Sequence, residues 1–291
     1  MPQPTPSPIQ HVSSCADLIT APNPGPMTLE GTNSYLLHAA GAGTGPVVVV
    51  DPGPADEDHL QALAAAGRVE LVLITHRHPD HTEGIDRLHE LTGAPVRAAL
   101  ADHCRQAPVL GDGEVITAAG IRVQVVATPG HTSDSLCFLL PDDGPHGSVL
   151  TGDTILGRGT TILDFPDGTL GDYLASLDVL SGFGSALMLP AHGPTHPQLG
   201  TVIEQYTAHR LQRLEQVRDA VARLAAADPS GRPGTAEVTD LVYADIDPAV
   251  RGAAEHSVKA QLHYLSGTTP APYAPTHRHV AQFPGKTGSC P

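Results

Sequence analysis

The sequence predicts an α/β fold in which two mixed β-sheets pack together with helices outside, followed by a smaller helical segment. Two observations carry this. Up to about residue 195, apolar runs of strand length alternate with amphipathic runs of helix length, and polar residues gather where the strands end. Beyond about Pro197 the strand signal stops, and apolar residues recur at three- and four-residue steps.

Each element can be placed in chain order. Residues 1 to about 10 read as a flexible, Pro-rich lead. SYLLHA and PVVVVD read as strands, and the second, continuously apolar, suits a buried position. DEDHLQALAAAG is a short helix stopped by Gly67. VELVLIT is a buried strand that delivers the chain into HRHPDHTEG. IDRLHELTG is the next helix and PVRAAL a short strand. GEVITAAGIRVQVVATPGH reads as a hairpin ending at His131, and SLCFLLP and GSVLTGD as strands, the latter ending at Asp153. A Gly- and Thr-rich loop leads to the helix GDYLASLDVLSG and the strand ALMLPAHG, which ends at His192. Ile203, Tyr206, Arg210, Leu214, Val217, Val221 and Leu224 form one stripe of a long helix, broken by ADPSGRPG. Two helices follow, the second with Asp247 as cap and Pro248 at its first position. The expected organisation is a main domain over 1–199, a helical domain over 200–270 and an irregular tail over 271–291.

Composition bounds the partners. The chain has 291 residues, 40% hydrophobic but only 3% aromatic and with no Trp, so aliphatic side chains must fill the core. Its net charge is −15, and only Lys259 and Lys286 are lysines. Such a surface offers a nucleic-acid backbone no general attraction, so nucleic acid is disfavoured as a partner. Cys15, Cys104, Cys137 and Cys290 follow neither a zinc-finger nor a redox spacing. There is no apolar signal core at the start and no run of ~18 apolar residues, so a cytoplasmic protein without a membrane span is expected.

The chemistry concentrates in four places. His76, His78, Asp80 and His81 form H-x-H-x-D-H directly after a buried strand. In an extended backbone His76 and His78 share a face, while Asp80 and His81 can turn toward a second ion. With 17 histidines in the chain a single pair would mean little; the tetrad means more. TPGH, LTGD and LPAHG then place His131, Asp153 and His192 at strand ends beside glycine, where the backbone can turn sharply and let side chains converge. Alone, each is an ordinary turn residue. Together they make seven ligands of zinc type, the number two hydrolytic ions require.

The order THRHPDH, TPGH, TGD, PAHG resembles the metallo-β-lactamase superfamily over about residues 28–195. The resemblance implies an αββα sandwich and two Zn(2+) ions per chain. One would be held by His76, His78 and His131, the other by Asp80, His81 and His192, with Asp153 bridging. Asp51, at the end of VVVVDPG, matches an aspartate that supports the metal loop from behind. NPGPMTLEGTNSYLL, GDTILGRGTTILD, LGDYLASL and YTAHRLQRLEQV are similar to the β-lactamase-like protein 2 family, which has a small winged-helix-like C-terminal domain and includes endoribonucleases. Fungal polyketide thioesterases look similar over the same stretches. Two departures stand out: Arg77 sits where an aromatic is usual, and TTPAPYAP follows the last helix in place of a clear two-stranded wing.

The function expected is hydrolysis by a metal-bridged hydroxide, with Asp80 orienting it, on the carbonyl of a thioester or ester. The alternative is a phosphodiesterase acting on single-stranded RNA. The charge favours a small-molecule or acyl-carrier substrate, and a homodimer is allowed. A metal-free binding module fits poorly with seven intact ligand positions, and a diiron reductase fits poorly with His78, which such relatives usually replace by Glu. Thr32, Asn33 and Thr160 are candidate substrate contacts. For His209 and Arg210 a solvated helix face is the simpler expectation.

Overall fold

The computed structural model describes residues 8–41, 45–229, 231–247 and 251–267. Most of the expected lead, Pro248, Cys290 and the expected tail over 271–291 lie outside them. One sheet runs, in hydrogen-bonded order, β1 (Gln10–His11), β2 (Ala16–Thr20), β3 (Asn33–Leu37), β4 (Pro46–Val50), β5 (Arg68–Leu73) and β6 (Val96–Arg97). The second comprises β7 (Val115–Ala118), β8 (Ile121–Ala127), β9 (Leu136–Leu140), β10 (Ser148–Gly152) and β11 (Leu187–Pro190), with spatial order β11-β10-β9-β8-β7. Both are mixed: β4, β5 and β6 are mutually parallel, as are β10 and β11, and the other neighbours are antiparallel.

Strand alternation builds the layers. Val48 and Val50 of β4 point between the sheets with Leu71, Leu73, Val123, Val125 and Phe138. Val47 and Val49 point the other way, onto α1 (Glu57–Ala65) and α3 (Ile85–Thr92) through Leu60, Leu63, Ile85 and Leu88. A strand buried on both faces must be apolar throughout, which explains the run VVVV. The outer face of the second sheet carries α4 (Leu170–Ser181) and the start of α5 (Leu199–Ala227) on Val149, Leu139 and Met188. This is the expected αββα sandwich.

The strand β2 was not legible in the sequence. Asp17 interrupts its apolar residues, and five register pairs with β3, not local propensity, make it a strand. The expected strand ends also retreat: β8 stops at Ala127 and β11 at Pro190, so His131 and His192 lie on the turns beyond.

The C-terminal segment consists of α5, α6 (Thr235–Val242) and α7 (Arg251–Leu265). Leu199, Val202, Ile203, Tyr206 and Leu214 of α5 share a core with Tyr173 and Leu177 of α4, while Val217 and Ala220 further along pack on Val238 and Val258. One helix thus joins the sandwich to the small helical cluster. The segment in which a wing would fall lies outside the described residues. No helix among the described residues is long and apolar enough to cross a membrane.

Helix α1 also carries a buried imidazole. The Asp56 carboxylate caps the helix by accepting from the His59 backbone N–H at 2.9 Å, and His59 Nε2 lies 2.8 Å from Ser34 Oγ on β3. Burial pushes the His59 pKa down to about 4, with Asp56 opposing. An unfolded histidine titrates near 6.5, so between these values the unfolded chain binds the extra proton. The stability contributed by neutral His59 is present above pH 6.5 and is lost as pH falls toward 4. Urea unfolding at pH 7 and pH 4.5 should show the wild type losing about 2 kcal/mol more than His59→Asn; equal losses would remove His59 from the acid sensitivity.

Candidate metal centre

The loops at one end of the sandwich bring all seven predicted donors together. Main-chain bonds join the two sheets here: Leu136 N–H donates to Thr75 O at 2.8 Å, and Asn33 N–H to Ala191 O at 2.7 Å. The tetrad begins just past β5. Its backbone is still extended at His78 (φ −61°, ψ 146°), and the short helix α2 (Pro79–Thr82) then turns Asp80 and His81 the other way. Gly130 explains TPGH: its φ is +141°, and a Cβ there would sit 2.4 Å from Tyr173 Cα. Only glycine lets α4 press against the turn that presents His131.

Two groups of donors result. The ligand atoms of His76, His78, His131 and Asp153 lie within 4.8 Å of one another, as do those of Asp80, His81 and His192. In the first, His76 Nε2 and His131 Nε2 each lie 3.0 Å from His78 Nδ1 and 3.2 Å apart. Asp153 faces both groups. Its Oδ2 is 3.7 Å from His131 Nε2, while its Oδ1 is 3.2 Å from His192 Nε2 and 3.6 Å from His81 Nε2. Asp80 Oδ2 completes the second group, 3.2 Å from His192 Nε2 and 3.4 Å from His81 Nε2.

The outward nitrogens explain which ring edge faces inward. His131 Nδ1 donates to Ile162 O at 2.5 Å and His192 Nδ1 to Gly31 O at 3.2 Å. His78 is reversed: its Nε2 faces Asp164 Oδ2 at 3.4 Å, leaving Nδ1 inward. Asp51 sets two rings at once. It accepts from Thr75 N–H at 2.8 Å, from Thr75 Oγ1 at 2.7 Å and from His81 Nδ1 at 2.8 Å. Thr75 Oγ1, having given its proton to Asp51, can only accept from His76 Nδ1 at 3.1 Å.

These donors fit divalent cations. Neutral imidazoles so held turn lone pairs toward one another, an arrangement they cannot satisfy among themselves. His81 Nε2 and Asp153 Oδ1 are buried without a hydrogen-bond partner. Burial and the neighbouring imidazoles drive His76 well below the usual range, and burial also lowers His131. For His192 burial acts downward, but Asp153 and Asp80 outweigh it and push the ring up to about 9. His81 is likewise raised by Asp51 and Asp153 against its burial. Protons and cations therefore compete for these two nitrogens.

The remaining candidates divide. Thr32 is fully buried, with its hydroxyl 3.4 Å from Asp80 Oδ2. Asn33, a candidate substrate contact, has both amide hydrogens on Pro190 O and Gly193 O at 3.0 and 2.9 Å. It is a strut under the His192 turn, with no donor left for a ligand. Thr160 is exposed on the loop after Asp153. Arg210, for which a solvated face was expected, is 5% exposed and lies over the Tyr173 ring. Sequence reasoning missed what surrounds Arg77. Its guanidinium pairs with Asp134, Asp164 and Asp167, tying the tetrad loop to the segment that follows Asp153. The unusual residue between the two histidines was its only signal.

Replacing Asp51 by Asn tests the support behind the donors. An amide nitrogen in place of Oδ2 would face two donors, Thr75 Oγ1–H and His81 Nδ1–H. Metal affinity, read by competition with a chelator, should fall about 10–100-fold; wild-type affinity in this variant would show that Asp51 does not orient the donors.

The metallo-beta-lactamase superfamily matches residues 27–192. A beta-lactamase-like protein 2 homolog of Caenorhabditis elegans is 29% identical over 287 residues, covering 94% of this chain and 92% of its own. The atrochrysone carboxyl ACP thioesterase of Aspergillus fumigatus is 34% identical over 237 residues, covering 76% of this chain and 71% of its own. The crystal structure of a beta-lactamase domain protein from Burkholderia ambifaria is similar with a TM-score of 0.71 at 23% identity, covering 89% of this chain and 88% of that one, a likeness of fold. With its motifs, its two-sheet sandwich and this match over more than half its length, the chain belongs to the metallo-β-lactamase superfamily.

Proposed function

We propose that this metallo-hydrolase holds two zinc ions and cleaves a thioester or ester. The observation that carries the reading is the pair of donor groups sharing the Asp153 carboxylate. His76, His78 and His131 would hold one ion, Asp80, His81 and His192 the other, and Asp153 both. Bound there, the ions supply Lewis acidity, lowering the pKa of a water to about 7 and polarising a carbonyl.

The protein's own groups do the rest. Asp80 holds its Oδ2 beside His81 and His192 and accepts from Thr32, and in this reading its carboxylate receives the O–H of the attacking water and orients it. Hydrolysis adds the water oxygen to the acyl carbon and breaks the C–S or C–O bond; one proton of the water goes to the leaving thiol or alcohol and the other to solvent, leaving a carboxylate.

Two observations favour a carbonyl over an RNA phosphodiester. One similar relative is named a thioesterase. The helix α7, where the resemblance would put nucleic-acid contacts, offers little free positive charge: Arg251 pairs with Asp240 at 2.6 Å and Glu255 at 3.2 Å. Phosphate tracking needs several uncompensated bases.

Purified protein loaded with zinc should hold close to two ions per chain by elemental analysis; fewer than about half an ion would end the two-metal reading. His131→Ala should lower thioester hydrolysis by about three orders of magnitude or more with an unchanged circular dichroism spectrum. Parallel turnover of acyl thioesters and single-stranded RNA decides the substrate class. Faster RNA cleavage that falls steeply with salt would replace the carbonyl with the phosphodiester.

A further inference from the structure

A pocket of mixed polar and apolar lining opens beside the metal centre, between the loop after Asp153 and the helical segment. Its volume is about 250 Å³, and its lining includes Thr160, Thr161, His209, Arg210, Arg213 and Gln261. Whole small ligands fill roughly 300–1,000 Å³, so this space suits one end of a ligand. In a chain of net charge −15, no carboxylate among the described residues lines it.

The charge inside is unneutralised. Arg210 is 5% exposed, yet neither it nor Arg213 forms an ion pair among the described residues. Arg210 donates one Nη2 proton to Thr161 O and lies 4.9 Å from the Tyr173 ring centroid; Arg213 lies 4.6 Å from that of Tyr243. These contacts orient the guanidinium groups without cancelling their charge. Arg210 Nε, His209 Nδ1 and Gln261 Oε1 are buried without a hydrogen-bond partner, and Gln261 is 2% exposed. A buried, unpaired guanidinium is costly to maintain and is an efficient binder of planar or tetrahedral oxyanions.

The pocket is joined to the metal centre through Thr161 and Ile162, which both line it and both contact His131. Thr161 accepts from Arg210 on its carbonyl, and its hydroxyl lies 3.1 Å from Nδ1 of His131. A group seated on Arg210 would lie behind the same loop that positions a metal-site imidazole.

We infer that this pocket receives an oxyanion, a phosphate or a carboxylate, carried by the substrate away from its scissile bond. Arg210 and Arg213 supply the charge, His209 Nδ1 can supply a further hydrogen bond, and the unpartnered Gln261 Oε1 marks a place for a donor, such as the hydroxyl of a protonated or esterified oxyanion. That the anion belongs to the substrate rests on the hydrolase reading; that the pocket binds an anion does not.

Calorimetry on the zinc-loaded full chain tests the binding, with inorganic phosphate in one arm and succinate in the other. Arg210→Gln risks the fold because Arg210 is buried, so the variants are Gln261→Glu, which brings a carboxylate into the pocket, and Arg213→Gln. At least one anion should bind saturably, should still bind after the metals are stripped with a chelator, and should weaken about tenfold or more in both variants. The stronger arm identifies the group. No binding in either arm, or binding unchanged in both variants, overturns the pocket. For the substrate, Gln261→Glu should lower kcat/KM for an acyl thioester bearing the preferred anion about tenfold more than for an uncharged thioester. Equal effects on both substrates would overturn the assignment to substrate, whereas absence of all thioester hydrolysis would overturn the carbonyl reading and leave the calorimetric result standing.

Discussion

One buried carboxylate, that of Asp51, sits behind much of this architecture. It ends β4 in a left-handed conformation (φ 53°), a conformation few residues other than glycine, asparagine and aspartate adopt readily. From there it accepts the main-chain N–H and the hydroxyl of Thr75, where the neighbouring strand β5 gives way to the tetrad, and the ring N–H of His81. A carboxylate 1% exposed needs several donors to stay buried, and these three come from the segment that must be held still. The same bonds that stabilise the anion fix the exit of β5, orient His81 directly and orient His76 through Thr75.

The second constraint is convergence. His76, His78, Asp80 and His81 leave the first sheet; His131, Asp153 and His192 leave the second. They meet because the inner faces of both sheets share one apolar core and because main-chain bonds from Leu136 and Asn33 close the seam at this end. Gly152 makes a comparable concession to Gly130: its φ is +50°, and a Cβ would come within 2.9 Å of Thr75 Cβ, so the strand carrying Asp153 can lie against the tetrad loop. The resulting cluster of imidazole edges and carboxylates is electrostatically incomplete alone, which is why its chemistry points to cations.

The helical segment adds a different electrostatic feature. The surface is strongly acidic, but Arg210 and Arg213 are turned inward over aromatic rings, next to the loop that follows Asp153. Because the first turns of α5 pack directly on α4 and the second sheet, those arginines are positioned by the same core that positions the metal-centre turns. The helix therefore forms a wall of the pocket beside that loop.

The sequence by itself determined the sandwich and the seven donors. Period-two alternation and fully apolar runs mark strands whatever their partners, and H-x-H-x-D-H, TPGH, LTGD and LPAHG are local patterns whose spacing carries their chemistry. The grouping of the donors and the bridging place of Asp153 were implied by the resemblance of the motifs; only the tertiary structure decided that Asn33 is a strut and that Arg210 is buried. It also decided β2, whose residues become a strand only by pairing with β3, and the three aspartates around Arg77, which lie 57 to 90 residues away along the chain. The physical reason is the same in each case: a side chain's role depends on its partners in space, and the local pattern around Asn33, Arg77 or Arg210 contains no trace of Pro190, Asp164 or Tyr173.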